Sequence, residues 1–137
     1  MLFRSHGIGD DRLILQGQSL GTGIAVEMAL RGYGKKLILI SPYTSMVDMG
    51  KLTLPIFPNE LLVHERYLNL AKAPRVTLPV LVVHGTEDEI IPVRMGRSVA
   101  EALPHARLLT IDGGHHNDLF IHRGRLLLEE LTNFYQY

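Results

Sequence analysis

The sequence predicts an α/β protein with three layers, in which helices cover both faces of a mostly parallel sheet of about four strands. Three observations support this prediction. Short apolar runs lack the polar alternation of a half-exposed strand, as is typical of parallel strands buried on both faces. Segments with helical periodicity separate these runs, and glycine or proline stands at most junctions. Strands that alternate with helices along a chain favour a parallel sheet covered on both sides.

Four apolar runs are the strand candidates. They comprise residues 13–15, 37–40, 80–84 and 107–111. The second run ends at Ser41-Pro42, the third at Gly85 and the fourth at an Asp112-Gly113 turn. Each of these endings contains residues that favour turns and disfavour strands.

Three longer segments are predicted to be helices. They span residues 20–31, residues 92–103 beginning at Pro92, and about residues 123–135. In the first, Leu20, Ile24 and Met28 recur on one face, which we expect to be its apolar face. In the last, apolar residues such as Leu127 and Leu131 align in the same way.

Residues 44–78 are less regular, and we expect them to form a cap-like insertion in a single domain that spans residues 1–137. A chain of 137 residues has the usual length of one domain. Pro55 and Pro58 would interrupt a long helix here, so we expect only a short helix near residues 61–70.

Composition excludes several classes of protein. The chain carries 14 basic and 14 acidic residues, and 46% of its residues are hydrophobic. This balance argues against disorder and against a basic nucleic-acid surface. The longest apolar runs are too short to cross a membrane. The sequence has no cysteine, which excludes disulfides and cysteine-bound zinc and suits a cytoplasmic location.

The segment Gly17-Gln18-Ser19-Leu20-Gly21 lies between the first predicted strand and the first predicted helix. A G-x-S-x-G sequence in this context is typical of a sharp turn that exposes a nucleophilic serine, here Ser19. The Leu20 backbone N–H, at the start of the helix, would donate to a developing oxyanion. The alternative is a glycine-rich turn that binds phosphate, although no G-x-G-x-x-G sequence or Walker lysine accompanies it.

An acid and a base are expected on loops after later strands, because the carboxyl ends of parallel strands share one edge of the sheet. Asp88 follows the third predicted strand, and His116 follows the fourth. We predict a Ser19–Asp88–His116 triad in which His116 is the general base and Asp88 orients it. Three neighbouring side chains remain alternatives in these roles, namely Glu87 and Glu89 for the acid and His115 for the base.

Other polar residues have structural interpretations. Asp112 is expected to begin a turn, and His84 to be a buried, satisfied histidine at the end of a strand. Ser41 and Ser45 are expected in turns or as helix caps. A metal site at His115, His116 and Asp118 is disfavoured because adjacent histidines on a loop do not easily bind one ion. No cofactor is predicted.

Four segments together resemble the α/β-hydrolase superfamily, and the resemblance extends over about residues 2–134. They are GQSLGTG, ISPYTSMVDM, LPVLVVHGTEDEIIP and DGGHHND. They are most similar to the "α/β-hydrolase domain-containing" branch, which includes depalmitoylases and lysophospholipases and is catalogued beside serine aminopeptidase-like hydrolases. The family's H-G-x-x-D segment implies Asp88 as the triad acid. Its G-x-H-N-D loop implies His116 as the triad histidine.

The resemblance implies a serine hydrolase that cleaves carboxylic esters or thioesters of a small-molecule or lipid-like acyl substrate. In the family, the inserted segment covers the active site. The apolar residues of this segment would then line an acyl pocket or pack in the core, namely Met46, Met49, Leu52, Leu54, Ile56, Phe57, Leu61 and Leu62.

The family's second oxyanion donor lies on a loop that precedes the nucleophile, and only 18 residues precede Ser19 here. We therefore expect the natural enzyme to be longer, or this chain to be a fragment that corresponds to the C-terminal half of the domain. The first strand would then be an exposed edge that allows self-association. The alternative function is a catalytically silent α/β module used for binding or assembly.

Overall fold

The computed structural model describes residues 6–7, 9–53 and 67–136. Four parallel strands form one sheet in the order β1-β2-β3-β4. Their bounds are β1 Ile14–Gln18, β2 Lys36–Ile40, β3 Val80–Gly85 and β4 Ala106–Ile111. Both the α/β class and the number of strands predicted from the sequence are confirmed. Because every strand points the same way, the loops that follow the strands leave the sheet at one edge.

At least one helix follows each strand along the chain. They are α1 Gly21–Leu30, α2 Met46–Thr53, α3 Asn69–Lys72, α4 Val93–Ala102 and α5 Leu119–Gln136. Two short 3-10 helices span Asp10–Arg12 and Ala73–Arg75. None of the helices in the described parts of the chain is both long and apolar enough to span a membrane.

The sheet has an apolar core on each face, which gives the predicted three layers. On one face, Val26 of α1 and Val99 of α4 belong to the cluster that contains Leu39 and Val82 of the sheet. On the other face, α5 packs against the alternate residues of the same strands. That second cluster contains Ile38, Ile40, Leu81, Val83, Ile111, Leu119, Leu127 and Leu131. The all-apolar runs of β2 and β3 thus follow from burial on both faces.

β1 differs from the inner strands because it lies at an edge of the sheet. It pairs with β2, and none of the described residues pairs with its other side. Gln16 and Gln18 are exposed, so the strand continues past the apolar run that predicted it at residues 13–15. The Tyr135 hydroxyl donates to Gln16 Oε1 across 3.0 Å.

The face of α1 that packs on the sheet is not the one expected from the sequence. Leu20 and Ile24 are 54% and 52% exposed, whereas Gly23, Ala25 and Val26 are buried. The helix follows the strand so closely that small residues must face the sheet. The predicted apolar face was therefore wrong, because steric fit at the turn outweighs the four-residue apolar period.

The segment after β2 begins with α2, which the sequence analysis did not predict. The Asp48 N–H donates to the Ser45 hydroxyl, so Ser45 caps this helix as expected. Of the helix predicted near residues 61–70, residues 61–66 lie outside the described residues. Tyr67 and Leu68 are not helical, and α3 begins only at Asn69.

Only some of the apolar residues proposed for an acyl pocket lie within the described residues. Met46, Met49 and Leu52 lie in α2, and the others lie outside the described residues, namely Leu54, Ile56, Phe57, Leu61 and Leu62.

The last helix begins earlier than predicted. α5 starts at Leu119 and is interrupted at Arg123, where φ is −138° and ψ is 36°. The sequence pattern thus located the longer part of α5, after the interruption, and missed its first turn.

Candidate active site

Ser19 lies at the tight turn between β1 and α1. Its φ is +51°, a left-handed value that side chains rarely adopt and that costs free energy. The Ser19 N–H donates to Ile40 O across 2.9 Å, which extends the pairing of β1 with β2. A Cβ on Gly17 would lie 2.7 Å from Gly21 C, so only glycine at position 17 lets the helix pass this close to the strand.

Two side chains from distant parts of the chain meet Ser19 at the edge of the sheet. His116 Nε2 lies 3.0 Å from Ser19 Oγ. On the other side of the ring, His116 Nδ1 lies 2.8 Å from Asp88 Oδ2 and 3.0 Å from Asp88 Oδ1. His116 and Asp88 are buried, while Ser19 is half-buried. The three residues singled out from the sequence thus form one continuous chain of polar contacts.

The Asp88 carboxyl accepts several hydrogen bonds besides the contact with His116. The N–H groups of Ile90 and Ile91 donate to Oδ1 across 3.0 and 2.7 Å. Burial alone would raise the pKa of Asp88, but the Ile91 N–H, His116 and the Ser41 hydroxyl outweigh it and the pKa is lowered. Asp88 is therefore held as a carboxylate with a fixed direction.

Ser41 lies one strand away from Ser19 in a similar conformation. It follows β2, has a φ of +48° and is fully buried. No described residue forms a well-aligned hydrogen bond with Ser41 Oγ, although the hydroxyl lies close enough to Asp88 to help lower its pKa. The sequence analysis expected Ser41 only in a turn or as a helix cap and did not predict that it lies beside Asp88.

His84 lies under Asp88 at the end of β3. Its Nε2 lies 2.8 Å from Ile91 O and 3.4 Å from Asp88 Oδ2. Because a carbonyl only accepts, Nε2 carries the proton. Burial lowers the pKa of His84 against the opposing effect of Ile91 O and Asp88, so the ring is held neutral.

The expectation that His84 is fully satisfied was wrong on one side of its ring. Its buried Nδ1 has no hydrogen-bond partner among the described residues. This side of the ring faces Gly96, where a Cβ would lie 3.0 Å from His84 Cε1. α4 therefore approaches the ring closely enough that position 96 has no room for a side chain.

The alternative acids and base lie beside the triad residues and make different contacts. Glu89 Oε2 lies 3.2 Å from His115 Nδ1 and also accepts from the His116 N–H across 3.4 Å. The hydrogen bond that His115 donates to Glu89 raises the pKa of His115, which favours an imidazolium in this exposed pair. Glu87 is exposed, with its Oε2 3.8 Å from His115 Nε2. His115 thus contacts surface carboxylates rather than Ser19.

Sequence reasoning missed a group of buried residues behind the turn. The hydroxyl of Thr22 donates to Ser19 O across 2.6 Å, and Asn69 Nδ2 lies 3.4 Å from Thr22 Oγ1. The Tyr43 hydroxyl reaches Leu20 O at 3.4 Å. Polar residues without an acidic or basic group give no motif, so only the fold shows that they meet here.

The described residues contain no group of three or more His, Asp or Glu side chains that could hold a metal ion. An apolar cluster flanks the loop that carries Asp88. It consists of Tyr43, Ile91 and Met95, against which Met46, Met49 and Tyr67 pack.

Residues 39–122 match the family described as "alpha/beta hydrolase fold". The chain belongs to this family. Among the relatives of the alpha/beta hydrolase chain, an uncharacterized protein of Mycobacterium tuberculosis strain H37Rv is 33% identical over 124 residues, which cover 90% of this chain and 44% of that protein. The alpha/beta hydrolase domain-containing protein aho-3 of Caenorhabditis elegans is 34% identical, with coverages of 98% and 39%.

Solved structures share the fold of this alpha/beta hydrolase chain. The esterase RhEst1 from a Rhodococcus species superposes with a TM-score of 0.71 at 17% identity, covering 98% of this chain and 68% of the other. A monoacylglycerol lipase from Paleococcus ferrophilus gives 0.71 at 19% identity, with coverages of 98% and 70%. The chain spans less than half the length of the two curated relatives, the Mycobacterium tuberculosis protein and aho-3.

Proposed function

We propose that this chain carries the catalytic machinery of a serine hydrolase that cleaves carboxylic ester or thioester bonds through an acyl-enzyme. The observation that supports this most is the 3.0 Å separation of Ser19 Oγ and His116 Nε2, with Asp88 on the opposite side of the ring. A nucleophile, a base and an orienting acid in this order suit acyl transfer. Ser19, His116 and Asp88 are the proposed catalytic residues.

In the first half-reaction, Ser19 Oγ attacks the acyl carbonyl carbon while His116 Nε2 accepts the hydroxyl proton. The carbonyl oxygen becomes an oxyanion in the tetrahedral intermediate. His116 then gives its proton to the leaving alcohol or thiol as the bond to the acyl carbon breaks. Asp88 holds Nδ1–H in place and stabilises the imidazolium that forms transiently.

In the second half-reaction, water replaces the leaving group. His116 takes a proton from the water as its oxygen attacks the acyl carbon, and the proton then passes to Ser19 Oγ as the acid departs. The Leu20 backbone N–H is the proposed oxyanion donor because it follows the nucleophile at the start of α1.

The proposed substrate is a small-molecule or lipid-like acyl compound. Apolar side chains are available on both sides of the site, since Leu20 and Ile24 are exposed on the helix after the proposed nucleophile and the Ile91 cluster flanks Asp88. One structural neighbour is an esterase and another a monoacylglycerol lipase. A cytoplasmic location and self-association through the open side of β1 remain predictions from the sequence.

A fluorophosphonate probe tests the proposal directly, because it phosphonylates serines that are activated by a neighbouring base. We expect the folded chain to be labelled once, and Ser19→Ala to lose the label. Ser98→Ala is the matched control, since Ser98 is half-buried in α4 and belongs to no part of the proposed machinery. Circular dichroism confirms that each variant is folded.

Two results would contradict the proposal. Persistent label in folded Ser19→Ala would assign the reactive group elsewhere. A folded wild-type chain that never reacts would favour the silent binding or assembly module.

A further inference from the structure

We propose that Thr22 is a positioning residue that orients and polarises the backbone N–H of Leu20, the group that would receive the oxyanion. Asn69 holds Thr22 in that role from the opposite side. This inference rests on the proposed hydrolase function and concerns two residues that do not touch the reacting atoms.

The link between Thr22 and the oxyanion donor is a single peptide group. Thr22 Oγ1 donates to Ser19 O across 2.6 Å, and the Thr22 N–H reaches the same oxygen across 3.0 Å. This carbonyl and the Leu20 N–H belong to the same planar unit. Two hydrogen bonds at the oxygen therefore fix the plane in which the Leu20 N–H points.

The same bonds also affect the strength of the donor. Hydrogen bonds in a chain polarise one another, and a peptide whose oxygen accepts strongly becomes a better donor at its nitrogen. The effect is largest where water is excluded, and Thr22 is fully buried. The Leu20 N–H is thus prepared for a negative charge that exists only in the tetrahedral intermediate and its transition states.

Asn69 distinguishes this arrangement from an ordinary helical threonine. Threonine hydroxyls commonly bond to a carbonyl three or four residues earlier in a helix. Here Asn69, which is 0% exposed, places Nδ2 3.0 Å from Tyr43 O and 3.4 Å from Thr22 Oγ1. Its amide therefore fills the acceptor side of the hydroxyl and directs the hydroxyl proton toward Ser19 O.

The polar network behind the turn connects three segments of the chain. α3 supplies Asn69, α1 supplies Thr22, and the segment after β2 supplies Tyr43, whose hydroxyl reaches Leu20 O at 3.4 Å. Each of the two peptides that follow the nucleophile thus accepts a bond from a buried side chain. The network would keep the donor aligned even though the turn has an unfavourable φ.

The test compares Thr22→Val, which keeps the shape and removes the hydroxyl, with Thr22→Ser, which keeps the hydroxyl. The measurements are the second-order rate of fluorophosphonate labelling, kcat and KM for p-nitrophenyl acetate, and Tm. We expect Thr22→Val to lower kcat and the labelling rate by about five- to twentyfold, less than the loss of a whole oxyanion donor. KM should change less than twofold, and Thr22→Ser should stay within about threefold of the wild type.

A purely structural role would lower Tm and leave kcat unchanged in the folded fraction. If Thr22→Val does not fold, Thr22→Ala replaces it in the same comparison with Thr22→Ser. Wild-type kcat and labelling rate in a folded variant without the hydroxyl would overturn this inference while leaving the hydrolase function intact. A wild-type chain that is neither labelled nor active would overturn both.

Discussion

The two sides of the candidate site are built in different ways. The nucleophile side, residues 17–23, follows the edge strand β1 and depends on backbone contacts and neutral hydroxyls. The acid–base side, residues 84–91 and 111–118, follows the inner strand β3 and the edge strand β4. It contains carboxylates and imidazoles, and the pKa values of His84, Asp88 and His115 are shifted by burial and by neighbouring charged or polar groups.

This difference indicates which changes each side tolerates. On the nucleophile side, Gly17 and Gly23 have no space for a Cβ, so added atoms should be harmful and changes of pH should matter little. On the acid–base side, the direction of Asp88 depends on hydrogen bonds from the Ile90 N–H, the Ile91 N–H and His116 Nδ1, so a loss of charge should be harmful. Three predictions test this contrast, from the largest expected effect to the smallest.

Asp88→Asn should have the largest effect because it removes the charge on the acid–base side while keeping the shape. An amide in this place would favour the wrong tautomer of His116 and would not stabilise the imidazolium. We expect kcat/KM for p-nitrophenyl acetate to fall by about 10⁴-fold, as removal of this charge does in serine hydrolases.

Glu89→Gln is the matched control for Asp88→Asn, since it neutralises a neighbouring carboxylate that contacts the His115 ring and the His116 backbone N–H but not the His116 ring. It should change kcat/KM by less than about threefold, in line with the small effect of exposed charges. Equal losses of kcat/KM in the two variants would show that activity depends on the overall negative charge of this region and not on the carboxylate at position 88.

Gly17→Ala should have the next largest effect, and it acts on the nucleophile side by sterics alone. The new Cβ would lie 2.8 Å from Thr22 Cα, so α1 must move away from β1. We expect the free energy of unfolding to fall by about 1–3 kcal/mol, measured by urea denaturation at pH 7.5 and again at pH 5.5.

Gly21→Ala is the control for Gly17→Ala within the same motif. Nothing lies within 4 Å of a Cβ at position 21, and alanine is the better helix former, so stability should be unchanged or rise by up to about 1 kcal/mol. If both variants were equally stable, close packing of strand and helix would not explain the glycine at position 17.

The smallest expected effect is the dependence of stability on the protonation of His84. Its pKa is lowered in the folded protein, so below about pH 6.5 the unfolded chain binds a proton that the folded chain does not. The contribution of neutral, buried His84 to the free energy of unfolding is therefore fully present at pH 7.5 and is lost as the pH falls. The slope for one such proton is at most about 1.4 kcal/mol per pH unit.

His84→Gln should flatten the loss of stability between pH 6.5 and 5.5, measured by urea denaturation. His105→Gln should leave the slope as it is in the wild type, since His105 is exposed. An unchanged slope in His84→Gln would show that the buried ring does not dominate the response to pH.

Much of the fold was predictable because its inner strands are apolar on both faces. The runs at residues 37–40 and 80–84 correspond to β2 and β3, and the helix predicted from Pro92 corresponds to α4. The predicted class and the parallel sheet follow from this pattern. Ser19 was predictable from the G-x-S-x-G segment between a strand and a helix, and Asp88 and His116 from their positions just after the third and fourth apolar runs.

The remaining features depend on contacts between distant segments, which leave no local pattern. The outward face of α1 is set by how closely the helix passes the sheet. The four-residue spacing of Leu20 and Ile24 therefore predicted the wrong buried face. The polar contact between Thr22 and Asn69 joins residues 47 positions apart. Ser41 carried no motif, because its significance lies in a φ value and in a neighbour across the sheet.

Ser19 and Ser41 leave adjacent strands through bends of the same hand, with φ values of +51° and +48°. One hydroxyl meets an imidazole, and the other is enclosed beside a carboxylate. The bend is therefore not itself a mark of reactivity in this chain. A search of protein structures for serines with such φ values after a strand would return structural serines together with reactive ones. Only a search that also requires an imidazole at the same edge of the sheet would separate the two kinds.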